Sequence, residues 1–277
     1  MTARKVSAKN SQSSIHGVRP PLKWAGGKRW LVPRLRPLYE PYRERRLVEP
    51  LCGGLAVALG LRPQRALLND ISPHASNFYR WLQRGFTIDI PMRNDLELYY
   101  RYREHFNRLA INGNASSAEA AALFYYLNRT CYNGLCRFNS RGEFNVPFGR
   151  YKTINYTTDF ADYRQAFAGW DFRHGDFAQV PIEPDDFIYA DPPYDVEFTR
   201  YAQQDFGWND QVRLAEFLAR HPGPVILSNQ ATERIIELYR DLGFELEFCD
   251  APRRISCKER VPAREAIATR NFPLTTW

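Results

Sequence analysis

The chain has 277 residues, 44% of them hydrophobic and 14% aromatic, so it can bury a sizeable core without disulfide or metal staples. Its five cysteines (Cys52, Cys131, Cys136, Cys249, Cys257) form no CxxC pair and its five histidines are dispersed, which argues against a disulfide framework and against a zinc site; no metal is expected. The net charge of +7 is uneven: residues 1–46 carry twelve Lys and Arg against Glu40 and Glu44, so the first 46 residues stand at +10 and the rest at −3, which points to a polyanionic partner.

Residues 1–18 are polar and rich in Ser and Lys and read as a disordered tail. The start, MTARKVSAKNSQSSIHG, has no apolar core of a signal peptide, and the run GLAVALGL is far short of the ~20 residues that cross a bilayer. A cytoplasmic protein with no membrane partner, monomeric in solution, is expected. After Pro20 and Pro21, LKWAGGKRWLVPRLRPLY reads as a loop and a short helix interrupted by Pro33 and Pro37. The arginines that follow, Arg34, Arg36, Arg43, Arg45 and Arg46, suit either a polyanion or a solvated helix face.

RLVEPLCGGLAVALGL reads as a strand, a glycine turn and a helix, and RALLNDISP as a second strand ending in Asp70. That order is the first half of a nucleotide-binding α/β unit. From Pro73 to Leu127 the spacing of apolar residues turns helical, with Ser116 or Ser117 as an N-cap. Residues 128–151, NRTCYNGLCRFNSRGEFNVPFGRY, show no apolar face, and Gly134 and Gly142 suit a hairpin with a short loop at 139–142. Strands and helices then alternate again: one near Trp170, then FIYADPPY, a helix capped by Asn209 or Asp210, PVILSN, TERIIELYRDLG, FELEFCD and REAIATRNF.

The sharpest feature is FIYADPPYD, a hydrophobic strand delivering Asp191, Pro192, Pro193 and Tyr194 at its carboxyl end, where open α/β sheets bind ligands. Consecutive prolines stiffen the backbone and leave carbonyls outward. An acid, a proline carbonyl and a stacking tyrosine together suit an amino group on a flat heteroaromatic ring. VEPLCGG places Glu49 and Gly53 after the first strand, and Asp70 follows about twenty residues on, where an acid commonly takes ribose hydroxyls. The glycine spacing is not GxGxxG and no GxxxxGK[ST] occurs, which leaves a nucleoside-like ligand such as S-adenosylmethionine. Lys23, Trp24 and Lys28 in LKWAGGKRW suit a carboxylate contact and an apolar or cationic ligand face, or an ordinary surface turn. Asp176 and Phe177 in GDF suit an adenine clasp.

PLKWAGGK, VEPLCGGLAV, LLNDIS, YADPPYD and VILSNQ, in this order, resemble the Dam-type DNA adenine-N6 methyltransferases of the D12 class from about Pro20 to Asn271, and YNGLCRFNSRGEFNVPFGRY is similar to that family's DNA-contacting hairpin. Where the family tends to Pro-Phe-x-Gly-x-Gly, this chain has Leu51 and Leu55 at the Phe and final Gly positions. The resemblance implies an α/β, Rossmann-like methyltransferase sheet over 19–72 and 160–277, with an inserted helical DNA-recognition domain over 73–159 whose hairpin spans 131–150. It implies methyl transfer from S-adenosylmethionine to an adenine flipped out of double-stranded DNA, in GATC, leaving S-adenosylhomocysteine, by a nucleoid-associated enzyme that is solitary or part of a restriction-modification system. Cytosine N4, RNA, or a silent DNA-binding role are the other readings. Asp191, Pro192, Pro193 and Tyr194 would be catalytic; Trp24, Lys28, Glu49, Gly53, Asp70, Asp176, Phe177 and Asp191 would bind the cofactor. Lys23, Tyr132, Asn133, Leu135, Arg137 and Tyr151 would contact DNA, with Arg137 reading a guanine edge, Leu135 a thymine methyl and Tyr132 and Asn133 working at the gap.

Overall fold

The computed structural model describes residues 18–195, 206–252 and 263–273; the expected tail, apart from Val18, and Cys257 lie outside them. The first helix, α1 (Val32–Tyr39), is not interrupted. Pro33 falls in its first turn, where a missing N–H forfeits nothing, and Pro37 forfeits only the bond to the Pro33 carbonyl. Burial of Val32, Leu35, Leu38 and Tyr39 against the sheet outweighs that loss.

The remaining strands and α-helices among the described residues are β1 (Leu47–Glu49), α2 (Ala56–Leu61), β2 (Ala66–Asp70), α3 (Pro73–Gln83), α4 (Leu96–Ile111), α5 (Ala118–Thr130), α6 (Ala161–Ala166), β3 (Trp170–His174), β4 (Phe187–Ala190), α7 (Trp208–Ala219), β5 (Val225–Gln230), α8 (Glu233–Asp241), β6 (Glu245–Ala251) and β7 (Ala263–Arg270). Asp95 caps α4 through the Leu98 amide at 2.8 Å and Ser117, not Ser116, caps α5 through the Ala120 amide at 3.0 Å. The cap of α7 is Gly207 rather than Asn209 or Asp210; Asp210 lies one turn in and its carboxylate accepts the Gly207 N–H at 3.2 Å.

The strands form one sheet in the order β3-β2-β1-β4-β5-β7-β6. Pairing is parallel from β3 through β5, and β7 runs antiparallel to both β5 and β6. Period-two alternation divides the buried strand residues between two cores. Leu47, Leu68, Tyr189 and Ile226 join the core containing α1 to α5, while Val48, Leu67, Ile188 and Leu227 join the core containing α7 and α8. The order in which strands are added reverses between β1 and β4, so the crevice beyond their carboxyl ends is the switch point of the sheet.

The helical segment departs from the sheet between β2 and β3, but α3 remains stitched to the sheet. Ser76 Oγ donates to the Arg173 carbonyl at 2.6 Å, and Arg80 donates to the Phe172 carbonyl through Nε (2.9 Å) and a terminal nitrogen (2.7 Å). The helix at the start of 73–159 thus covers β3, and the excursion proper begins after it, with α4 and α5 packed together and α5 against α3.

Residues 131–150 form two arms joined at isolated bridges, Cys131 with Phe148 and Phe138 with Phe144, rather than a continuous ladder. Pro147 lacks an amide and Tyr132–Gly134 coil into a short 3-10 turn, which together interrupt the pairing. The tip closes as expected: Asn139 Oδ1 accepts the Arg141 and Glu143 amides, and Gly142 takes φ +77°. The segment does have an apolar face. Phe144 and Val146 are fully buried, and Phe138 stacks on His74 with centroids 4.9 Å apart.

Candidate active site

A cavity of about 620 Å³ opens beyond the carboxyl ends of β1, β2, β3 and β4. Each strand delivers one wall: Pro50 to Gly54 after β1, Asp70 and Ile71 from β2, Gly175 to Phe177 after β3, and Asp191 to Tyr194 after β4. Trp24 and Lys28 close it from the segment before α1.

Trp24 lies directly on the glycine turn. A Cβ on Gly53 would meet Trp24 Nε1 at 2.6 Å and one on Gly54 would meet Trp24 Cβ at 2.7 Å, so both positions require glycine for this approach. Gly53 takes φ +46°, and Leu55 also takes a positive φ, +62°. Leu55 is the position where the resembled pattern carries glycine; its side chain, wholly buried, holds a backbone conformation disfavoured by about 1–2 kcal/mol for a residue with a Cβ. Asp70 clamps the turn, accepting the Gly53 amide on Oδ2 and the Ser72 amide on Oδ1, each at 2.9 Å. Burial raises its carboxyl above the usual range, against the pull of those two amides.

Asp191 receives Lys28 Nζ at 2.7 Å and Ser228 Oγ at 2.9 Å, both on Oδ1, and its side chain keeps 22% exposure towards the cavity. Burial pushes its carboxyl up to about 6, with Lys28 restraining the rise. Lys28 is itself buried, which alone would lower its ammonium; Asp191 and Glu265 outweigh this and raise it. Tyr194 lies beside them, its ring centroid 4.5 Å from Lys28 Nζ. Gln211 Nε2 donates to the Pro193 carbonyl at 2.7 Å, and Arg234 and Thr232 hold Asp195, so the Asp-Pro-Pro-Tyr segment is pinned at both ends.

Glu49 points into the same cavity with Oε1 buried and unpartnered, and burial and Asp191 raise its carboxyl well above the usual range. Asp176 pairs with Arg213 at 2.9 Å, whose guanidinium covers the Phe177 ring at 4.8 Å. Burial works upward on Asp176, but Arg213 and the Ala178 amide hold it below the usual carboxylate range. All eight residues expected at a cofactor therefore meet around one cavity. Ser228, Gln211, Arg213 and Glu265 were not anticipated; the one sequence signal for Glu265 is a lone acid leading the apolar run of REAIA.

The expected DNA contacts gather elsewhere, at the end of α5. Tyr132 is 52% exposed and Leu135 38%, both large apolar groups open to solvent, with Asn133 between them at φ +54°. Arg137 donates to Asn145 through Nε at 2.8 Å and a terminal nitrogen at 3.2 Å. Lys23 is turned inward: its ammonium donates to the Arg129 carbonyl at 3.0 Å and sits 4.1 Å over the Tyr151 ring. Tyr151 in turn donates to the Cys131 carbonyl at 2.8 Å, and Arg129 donates to the Pro21 carbonyl. Lys23, Tyr151 and Arg129 brace the hairpin against the segment that carries Trp24 and Lys28. Among the described residues, Glu183, Asp185 and Asp186 bring carboxylates within 4.8 Å, and Arg46 pairs with Glu183 and Asp186.

A seven-stranded, largely parallel sheet with a glycine turn, an acid ending β2 and Asp-Pro-Pro-Tyr at the switch point defines a nucleoside-binding methyltransferase with a Rossmann-like sheet. Residues 24–253 match the model of the D12 class N6 adenine-specific DNA methyltransferases, and the chain belongs to that family. It is similar to the DNA adenine methylase of Haemophilus influenzae (34% identical, 90% of this chain and 93% of that one) and to that of Escherichia coli strain K12 (36%, 79% and 83%). It is also 38% identical to the DNA N-6-adenine-methyltransferase of Escherichia phage P1 over 85% of this chain, but spans only 33% of that longer protein. The reaction class is methyl transfer to adenine N6 of DNA, and the family's methyl donor is S-adenosylmethionine. No helix among the described residues is long and apolar enough to cross a membrane.

Proposed function

We propose that this cavity takes S-adenosylmethionine beside an adenine extruded from double-stranded DNA, within GATC, and releases S-adenosylhomocysteine. The observation that carries the reading is Asp191: both donors that hold it fall on Oδ1, which leaves Oδ2 to accept from a ligand in the cavity that Asp191 and Tyr194 line. The cavity size lies within the range of small-molecule sites. The orphaned Glu49 Oε1 offers an acceptor to a ligand ammonium, the cradle of Trp24 on Gly53 offers a flat wall, and Asp70 offers its remaining lone pairs to hydroxyls.

When bound, the cofactor supplies a methyl group already activated as a sulfonium. The protein's part is to hold and polarise the acceptor. The N6 lone pair of adenine is delocalised into the ring, so the amine is a poor nucleophile until its hydrogens are drawn out of plane. Asp191 Oδ2 accepts one of them. The Pro193 carbonyl is taken by Gln211, which leaves the Pro192 carbonyl to accept the other. These acceptors favour a pyramidal nitrogen and stabilise the positive charge that develops on it; the surplus N6 proton leaves along its hydrogen bond to Asp191, and positioning supplies most of the remainder. Such a transfer asks for no metal. Extrusion costs a few kcal/mol, and stacking on Tyr194 recovers about 1–3 kcal/mol of it.

Tyr132, Asn133, Leu135 and Arg137 make up the DNA-reading edge, with Lys23 and Tyr151 supporting it from behind, in a monomeric enzyme of the cytoplasm. The test is to incubate the protein with duplex DNA from a methylation-free host and labelled S-adenosylmethionine, digest the product, and identify the nucleoside and its sequence context. N6-methyl-2′-deoxyadenosine in GATC is expected. N4-methyl-2′-deoxycytidine, or label in added RNA and none in the DNA, would overturn the reading.

A further inference from the structure

Glu265 lies on β7, opposite Gln230 of β5, with its side chain fully buried. A carboxylate removed from water in this way costs several kcal/mol unless its charge and lone pairs are met. Both of its oxygens point at the active site. Oε2 accepts the Tyr194 hydroxyl at 2.6 Å, and Oε1 lies 3.0 Å from Lys28 Nζ. The same ammonium reaches Asp191 Oδ1 at 2.7 Å and donates to the Tyr194 hydroxyl at 3.3 Å.

Lys28, Tyr194 and Glu265, from three separate parts of the chain, thus form one closed circuit, to which Asp191 is joined through Lys28. The Tyr194 hydroxyl is fixed twice, as acceptor from Lys28 and as donor to Glu265. Lys28 lies between two carboxylates, closer to Asp191 (2.7 Å) than to Glu265 (3.0 Å), so its charge is shared by both. Lys28 also lies over the Tyr194 ring, which directs an incoming base to the ring's other face.

We infer that Glu265 is a positioning residue for methyl transfer, holding Tyr194 in the orientation that stacks the acceptor base and sharing Lys28 with Asp191. Glu265 touches neither acceptor nor methyl group in this arrangement; it acts through Tyr194 and Lys28. This rests on the reading of the cavity as the methyl-transfer site. A buried ion pair that served the fold alone would not need to bind the hydroxyl of the ring lining the cavity. It would also leave the chemical step untouched once the fold was intact.

The groups that face Asp191 are Lys28, Ser228, Tyr194, Glu265 of β7, Glu49 of β1, Tyr189 of β4 and Tyr239 of α8. Of these, Glu265 adds a second negative charge that raises the Asp191 carboxyl. Removing the charge while keeping an acceptor for Tyr194 therefore moves the acid limb of the rate profile to lower pH.

The experiment is single-turnover methyl transfer on duplex DNA, with cofactor affinity measured separately, for the full chain and for Glu265→Leu, Glu265→Gln, Tyr194→Phe and the double variant Glu265→Leu with Tyr194→Phe. Glu265→Leu and Tyr194→Phe are each expected to slow transfer at least tenfold while changing cofactor affinity less than threefold. Glu265→Gln recovers most of that rate, with its acid limb displaced to lower pH. Adding Glu265→Leu to Tyr194→Phe slows transfer by much less than the product of the two single losses. Wild-type rate in Glu265→Leu, an unmoved acid limb in Glu265→Gln, or additive losses in the double variant would overturn the inference. If Glu265→Leu does not fold, the glutamine and phenylalanine variants decide alone. A wild-type protein that transfers no methyl would instead count against the function proposed above.

Discussion

Asp191 is under two opposed pressures, burial raising its carboxyl to about 6 and Lys28 holding it down. Only the ionised form accepts an amine hydrogen on each event without first losing a proton of its own. Activity is therefore expected to fall as pH drops through about 6, by about tenfold per unit below that point, and to be insensitive to this group above it. A rate profile flat down to pH 4 would contradict it. Asp191→Asn keeps the shape but loses the charge, and a loss of about 10²–10³ in transfer rate with cofactor binding retained is expected from the size of comparable electrostatic contributions. At the hairpin, Asn145 orients Arg137. Arg137→Ala should relax discrimination at one guanine by about 1–3 kcal/mol, read by comparing methylation of duplexes substituted at each site position, with cofactor affinity unchanged. An unaltered ranking of the duplexes would remove Arg137 from readout.

The hairpin and the segment before α1 form one mechanical unit. Gly134 at φ +65° leaves room for Lys23, and a Cβ there would meet Lys23 Cβ at 2.5 Å. Gly142 at φ +77° has nothing within 4 Å of a Cβ. Both hold a left-handed backbone that a Cβ disfavours by about 1–2 kcal/mol, but only Gly134→Ala also has to displace a neighbour. Gly142→Ala should therefore lower thermal stability slightly and leave DNA affinity near wild type. Gly134→Ala should weaken DNA binding markedly, because it pries Lys23 from the Arg129 carbonyl and Tyr151 and so loosens the arm that bears Arg137. Equal DNA affinities for the two variants, in a titration with a fluorescent duplex, would separate Lys23 from the hairpin's alignment. His74 provides a second joint, stacking at the start of α3 on Phe138, one residue beyond Arg137.

Across the whole molecule the basic excess of the first 46 residues is partly used internally. Arg36 donates to the Gly60 carbonyl, Arg43 pairs with Glu40, Arg45 donates to the Asp185 carbonyl, and Arg46 grips Asp186. This cluster thus serves the protein's own fold more than a polyanion. Arg19, Arg29, Arg141, Arg150 and Lys152, before α1 and near the hairpin, are exposed as well. If these five meet phosphates, the logarithm of DNA affinity should fall with the logarithm of salt with a slope of about −4 to −5, independent of sequence. A slope near zero would place the duplex away from this face.

Short contiguous stretches were enough to read much of this protein from the sequence. The strand, glycine turn and helix around Gly53, the acid at Asp70 and the stiff exit at Asp191 to Tyr194 each depend on residues adjacent in the chain, where local sterics and hydrogen bonding decide the conformation. Tertiary structure decided what these pieces meet. Glu265 reaches Tyr194 across 71 residues, Arg129 and Lys23 turn inward, and Phe138 and Phe144 give the hairpin a buried face that its polar composition concealed. Periodicity reports that a side chain is buried but not which neighbour receives it, and a buried charge is tolerated only where remote elements bring its partners. For the stretch from Asn128 to Tyr151, the sequence determined a glycine-closed loop, while packing against α3 and the Lys23 segment determined which of its arginines face inward.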